Sequence, residues 1–286
     1  MLDRFGTRIA ILNCLHAAQA FPSEDMSAAL CGAVNDWLAD QWLDRDPRLR
    51  ASILVTPRNP ELAVREIERR ANDERFVQVL LPLMGDMPLG RRLPWPIYAA
   101  AERHRLPVGV HAGSLYRQAP TAIGWGSTFL EDAVAQAQGA EGQLLSLVAE
   151  GVFQRFPRLR VVMIETGFTW LPGFYWRADK TWRGVRAEVP WLDRAPSAVV
   201  REHVRFTLQP TDAPEDAAKL AWIVERLGSD RMLLFSTDFP RARFAGDDAW
   251  PAGIPDRLRE DILWRNAAET YPRLGLATAE LREAVP

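Results

Sequence analysis

Short apolar runs rich in β-branched residues recur along the chain at 8–12, 51–55, 76–81, 107–110, 161–164, 204–207 and 232–235. Most lack polar–apolar alternation, which is the pattern of strands buried on both faces in a parallel sheet. Between them the period changes. Leu144, Leu147, Val148, Gly151 and Val152 form one helical stripe, and Leu220, Ile223, Val224 and Leu227 form another. Ala63, Ile67 and Ala71 mark a third helix, opened by Asn59-Pro60, because a proline in the first turn is preorganised for helix. Strand and helix therefore alternate without a Gly-rich phosphate loop after the first strand. That order predicts an α/β domain of the (β/α)8 TIM-barrel-like kind over a doubly wound nucleotide binder. Seven runs fall one short of the eight that close such a barrel, and the first begins only eight residues into the chain. The irregular stretches at 112–131 and 183–196 read as long βα loops, the segments that build active sites in barrels.

Composition narrows the partners. The chain has 286 residues, 48% apolar and 25% charged, ample for one large core, and no low-complexity linker divides it, so a single domain over 1–286 is expected. Its 35 basic and 37 acidic side chains nearly cancel, which argues against a nucleic-acid footprint or a polybasic membrane anchor. No apolar run reaches the roughly 18 residues of a membrane span. Cys14 and Cys31 cannot frame a disulfide scaffold and form no Cys-x-x-Cys pair, so a reducing, cytoplasmic setting and a small-molecule substrate are expected, with a homodimer as one arrangement. Eleven tryptophans suggest aromatic cleft walls or large packed interfaces, although most such residues fill cores.

In barrels of this type the working residues stand where strands end, so the polar residue that stops each apolar run is the one to inspect. His111 follows Val108-Gly109-Val110, Glu165 follows Val161-Val162-Met163-Ile164, and Asp238 closes Met232-Leu233-Leu234-Phe235-Ser236-Thr237. Each has an ordinary alternative: a satisfied core histidine, a structural ion pair, a turn cap. Together they offer nitrogen and oxygen ligands converging from three strand ends, as a catalytic divalent metal requires. His16 lies at the same end and His203 at the opposite one, while His104 reads as a solvated helix end. Arg117, Trp125, Trp170, Trp176, Arg177, Gln209 and Arg241 lie on or just past strand ends. There arginine suits a carboxylate substrate and tryptophan gives a stacking wall.

Three segments carry a family resemblance: the run from Phe156-Pro157-Arg158-Leu159-Arg160 through Glu165-Thr166-Gly167-Phe168-Thr169-Trp170-Leu171-Pro172, then Phe235-Ser236-Thr237-Asp238-Phe239-Pro240, then Asn266-Ala267. They resemble the amidohydrolase-related metal-dependent TIM barrels, a family that includes aminocarboxymuconate-semialdehyde decarboxylase and aromatic acid decarboxylases beside hydrolases. The resemblance covers almost the whole chain. It implies that the first β-strand of the family barrel, with its metal-binding His pair, is missing here and that the barrel is N-terminally incomplete. It also implies that His111 and Asp238 are metal ligands. Glu165 stands where many members carry a catalytic histidine, although a subgroup has Glu-x-Gly, and Pro240-Arg241 replaces the usual Pro-His. The function expected first is a metal-dependent hydrolase acting on a small, carboxylate-bearing substrate. In that reading zinc is held by His111 and Asp238, with Glu165 as a third ligand or general base, Asp238 also catalytic, and Arg117, Trp125, Trp170, Arg177 and Arg241 contacting substrate. The alternatives are nonoxidative decarboxylation of an unsaturated or aromatic acid and a noncatalytic barrel subunit.

Overall fold

A computed structural model describes residues 2–15, 17–113, 119, 121–240 and 250–275. Seven strands form one parallel sheet in chain order: β1 (Ala10–Leu12), β2 (Leu49–Leu54), β3 (Phe76–Pro82), β4 (Val108–His111), β5 (Val161–Ile164), β6 (Val204–Thr207) and β7 (Leu233–Leu234). Each pairs only with its sequence neighbours, which requires a helical crossover at every step. The result is a curled, open sheet that corresponds to a (β/α)8 barrel lacking one strand. The missing alternation has the expected cause: every residue of β4 and β5 is buried, as is all of β3 except its last residue. β1 is the exception. Its three residues are half-exposed, and pairing starts only at Ala10, two residues later than the apolar run suggests.

The two ends of the sheet are finished differently. Beyond β7, the backbone of Phe235 donates to the Ile262 carbonyl at 2.9 Å, and the Asn266 amide donates to the carbonyls of Leu233 and Asp230. The C-terminal segment thus satisfies groups that a neighbouring strand would otherwise take. From there Tyr271 reaches inward and donates to Gln78 Oε1 at 3.1 Å. Gln78 in turn donates to Ser52 and Asn13, so a polar row crosses β3, β2 and the end of β1. Arg273 then ties the tail to the base of the barrel through the carbonyls of His104, Phe76 and Ala71.

Helices follow the sequence with two differences. Helix α2 (Pro60–Arg70) starts as expected, with Asn59 accepting from the Leu62 amide and Ala63 and Ile67 buried. Helix α8 (Ala217–Leu227) buries Leu220, Val224 and Leu227. The stripe at Leu144 breaks sooner than its periodicity implies. Helix α4 (Phe129–Ala149) stops, Gly151 takes a left-handed φ of 77°, and a short helix α5 (Val152–Arg155) begins. The break has a cause in Trp191, whose indole caps the Ala149 carbonyl and sits where a Gly151 Cβ would be, at 2.6 Å. The stretch 183–196 is not a βα loop. Helix α6 (Leu171–Val185) runs through Arg183, held by its buried face of Leu171, Phe174, Tyr175 and Ala178, and the rest leads directly to α7 (Pro196–His203).

Candidate active site

His111 is the last residue of β4, buried, and in register with Pro82 of β3 and Ile164 of β5. Backbone bonds from Leu83 to the His111 carbonyl and from Ala112 to the Ile164 carbonyl lock the strands to that level. The Nδ1 atom lies 2.5 Å from the Ala112 carbonyl. Only an N–H is compatible with a carbonyl there, so Nδ1 carries the proton and Nε2 is left as the acceptor in the neutral ring. Glu165 follows β5 immediately, in a left-handed conformation with φ of 57°, and its amide donates to Thr207 Oγ1 at the end of β6. That conformation costs a non-glycine residue about 1–2 kcal/mol. It brings Oε1 to 3.3 Å from His111 Nε2, with both side chains largely shielded from solvent.

Gly167 completes this turn with φ of 67°, and a Cβ there would meet the Asp212 carboxylate at 2.3 Å. The Glu-x-Gly motif therefore leaves room for a second carboxylate from the loop after β6. Loss of hydration raises the Asp212 carboxyl above its ordinary value, although the residue keeps an exposed flank. Trp170 backs the turn. Its indole donates to the Thr166 carbonyl, and its ring meets Phe174 and Phe206 edge-on. Asp238, past the end of β7, is the other strand-end acid in the left-handed region, with φ of 52°.

The remaining candidates scatter. Trp125 is exposed on the segment that leads into α4. Arg177 lies exposed within α6, where its charge acts on Glu141 of α4, so it belongs to the outer helical layer and not to a strand end. Trp176 is exposed on the same helix and meets Trp222 edge-on. Gln209 closes a turn by accepting from the Thr211 amide. His104 pairs with Glu68, and His203 is buried against Phe153 at the opposite end of the barrel. His16, Arg117 and Arg241 lie outside the described residues. Two further residues, Thr207 and Asp212, shape the Glu165 turn. Thr207 meets the same strand-end criterion that selects His111, whereas Asp212 carries no local signal and is placed by the path of its loop.

A cavity of about 330 Å³ opens beside this site, at the ends of β2 and β3. It is lined by Gln19, Arg58, Leu81, Pro82, Met84 and Ile97, and Arg58 pairs with Asp86, also in its wall, at 2.6 Å. It lies one strand away from His111 and does not include His111 or Glu165. A metal is a poor fit to what is present. His111 and Glu165 make two donors facing each other, and among the described residues no group of three His, Cys, Asp or Glu side chains is arranged to hold a metal ion.

Comparison with known proteins gives the site its context. A family profile described as amidohydrolase matches residues 5–273. The chain is 27% identical to the gamma-resorcylate decarboxylase of Rhodococcus jostii, covering 93% of this chain and 83% of that protein. It shares its fold with the dihydroxybenzoic acid decarboxylase of Polaromonas, with a TM-score of 0.73, 23% identity, and 96% and 85% of the two chains covered. It also shares it with the 5-carboxyvanillate decarboxylase of Novosphingobium aromaticivorans, with a TM-score of 0.75, 20% identity, and 95% and 78% covered. Both of those structures hold manganese, which overturns the expectation of zinc. Among the described residues no helix is long and apolar enough to cross a membrane.

Proposed function

The chain belongs to the amidohydrolase family, and on that premise we propose that it catalyses the nonoxidative decarboxylation of a small aromatic carboxylic acid. This reading replaces hydrolysis as the first choice because the curated relatives that match nearly the whole chain are decarboxylases. The observation that carries the reading within the molecule is the His111–Glu165 pair at adjacent strand ends. Loss of CO2 from an aryl carboxylate leaves an electron pair on a ring carbon, so a proton must be delivered to that carbon. A C–H bond forms there, the C–C bond to the carboxylate breaks, and its electrons restore the aromatic ring. Carboxylate plus proton becomes arene plus CO2, with no oxidant required.

Glu165 is the proposed proton donor. With Nδ1 committed to the Ala112 carbonyl, His111 presents Nε2 to the Glu165 carboxyl, and the pair holds one proton between them. After transfer, His111 passes a solvent proton back to the carboxylate. Asp238 is proposed to accept a hydrogen bond from a ring hydroxyl, with Trp170, behind the Glu165 turn, as an apolar wall. Arg117 and Arg241 keep their proposed part as carboxylate contacts on sequence grounds alone. Among the described residues no three-ligand metal cage is present, so the proton chemistry rests on His111 and Glu165. The test is product analysis on hydroxybenzoates and on a parallel set of lactones and esters, each with added Mn2+ and with chelator. Release of CO2 with the matching phenol supports the proposal. Turnover of the lactones or esters alone would refute it.

A further inference from the structure

The proposed reaction makes no use of the cavity at the ends of β2 and β3. Its walls come from three segments, 19–24, 57–58 and 81–97, at the same end of the sheet as His111 and Glu165. Each of the longer walls is tied down. Gln19, itself buried, donates to the carbonyls of Val55 and Leu80 at 2.9 and 2.8 Å. Gln143 of α4 accepts from the Leu89 amide and donates to the Leu83 carbonyl, and Tyr98 of α3 (Trp95–Arg103) donates to the Leu89 carbonyl. The space is therefore preformed, and its volume of about 330 Å³ stands at the small end of ligand cavities. An apolar cavity of about 150 Å³ holds benzene, so there is room for one ring with its substituents. Leu81, Met84, Leu89 and Ile97 give that ring buried apolar walls.

Charge narrows the guest. Among the described residues the lining carries one guanidinium, Arg58, and two carboxylates, Asp86 and Glu24. Arg58 is paired with Asp86 through Nε at 2.6 Å, which leaves Glu24, in the first turn of α1 (Glu24–Leu38), as the charge without an ion pair. Asn59 donates to Glu24 Oε2 at 2.7 Å, and Oε1 has no donor among the described residues. A second anion is repelled from a space of this sign, so an aryl carboxylate is a poor guest. A neutral phenol is a good one, because its ring meets the apolar wall and its hydroxyl supplies the donor that Glu24 lacks.

We propose that this cavity binds a neutral phenol, the class of product that loss of CO2 from a hydroxybenzoate releases, at a subsite separate from His111 and Glu165. Its identity as product rests on the decarboxylase reading, whereas the charge argument stands apart from it. The subsite adjoins the reaction, since the Leu83 amide, next to the cavity wall, donates to the His111 carbonyl at 2.8 Å. The phenol thus has a place beside the mouth that the incoming acid does not contest.

The test uses the full chain with carbon-13 in the methionine methyl groups. Met84 and Met87 line the cavity, whereas Met163 on β5 and Met232 ahead of β7 are buried in the barrel wall. Resorcinol, a neutral diphenol, is titrated to about 10 mM, above the roughly 1 mM Kd of an eight-atom ligand of modest efficiency. It should shift Met84 and Met87 and leave Met163 and Met232 in place. Benzoate should need at least about tenfold more for the same shift, the penalty of one uncompensated charge. Glu24→Gln should weaken resorcinol about tenfold, as for one lost hydrogen bond to a charged group, with an unchanged circular dichroism spectrum. Should that variant fail to fold, Leu93→Trp at the exposed rim narrows the opening and should abolish the Met84 and Met87 shifts. Equal binding of benzoate, shifts confined to Met163 or Met232, or no shift at all would overturn the proposal. These readouts need no turnover, so a chain that shows them yet converts no hydroxybenzoate counts against the decarboxylase reading alone.

Discussion

At the scale of single residues, the site rests on two side chains that meet because one of them is strained. Glu165 reaches His111 through a left-handed backbone, and the proton it carries is the part of it the reaction needs. Glu165→Gln should lower kcat by about 10²–10⁴ while moving the melting temperature by less than about 3 °C. Steady-state assays and a thermal melt read the two effects separately, and unchanged turnover would remove Glu165 from the chemistry. His203 makes a contrasting prediction about stability. Burial against Phe153 lowers its pKa below 6.5, so the unfolded chain binds the proton more readily than the folded one. Its contribution is present above pH 6.5 and lost as pH falls through the lowered folded value, with a slope approaching about 1.4 kcal/mol per pH unit. Denaturant titrations between pH 7.5 and 5 should show that slope, and His203→Gln should flatten it. The strand-end criterion made His111 and Glu165 legible in the sequence, since a polar residue that stops a buried run must be paired or functional. The left-handed conformations of Glu165 and Asp238 were not legible, because neither residue type demands a positive φ.

Elements show the same division between what periodicity carries and what packing decides. The apolar runs located the strands, most clearly β3, β4 and β5, where two-sided burial leaves a continuous signature. Periodicity does not show the ends of α4 and α6, because Trp191, remote in sequence, decides where α4 stops, and a buried face extends α6 through polar residues. β4 illustrates how closely such elements pack. A Cβ on Gly109 would lie 2.8 Å from both Gln78 Cδ and Ile164 Cδ1, so Gly109→Ala should destabilise the fold by about 1–3 kcal/mol, measured by urea unfolding. An alanine accepted at no cost would mean that the barrel interior at this level is loosely filled. β1 lies at the other extreme, half-exposed along its length. Hydrogen exchange at Ala10–Leu12 should be at least about tenfold faster than in β4 and β5, as local opening concentrates where little is buried. Equal protection would contradict the open-edge description.

For the whole molecule, the sheet order and the family match place the strand ends at one mouth, and a pair able to hold one proton stands there. The family resemblance was legible across almost the entire chain, whereas the choice between hydrolysis and decarboxylation was not, because both chemistries use the same strand ends. Proton delivery to carbon separates them. A panel of hydroxybenzoates should be turned over in D2O with Mn2+ present, and the deuterium in each phenol product located by NMR. The account predicts one CO2 per phenol and one deuterium at the ring carbon that lost the carboxylate, with the reaction strongly suppressed in Glu165→Gln. A product that retains its carboxylate, or no turnover of any aromatic acid with Mn2+ present, would contradict it.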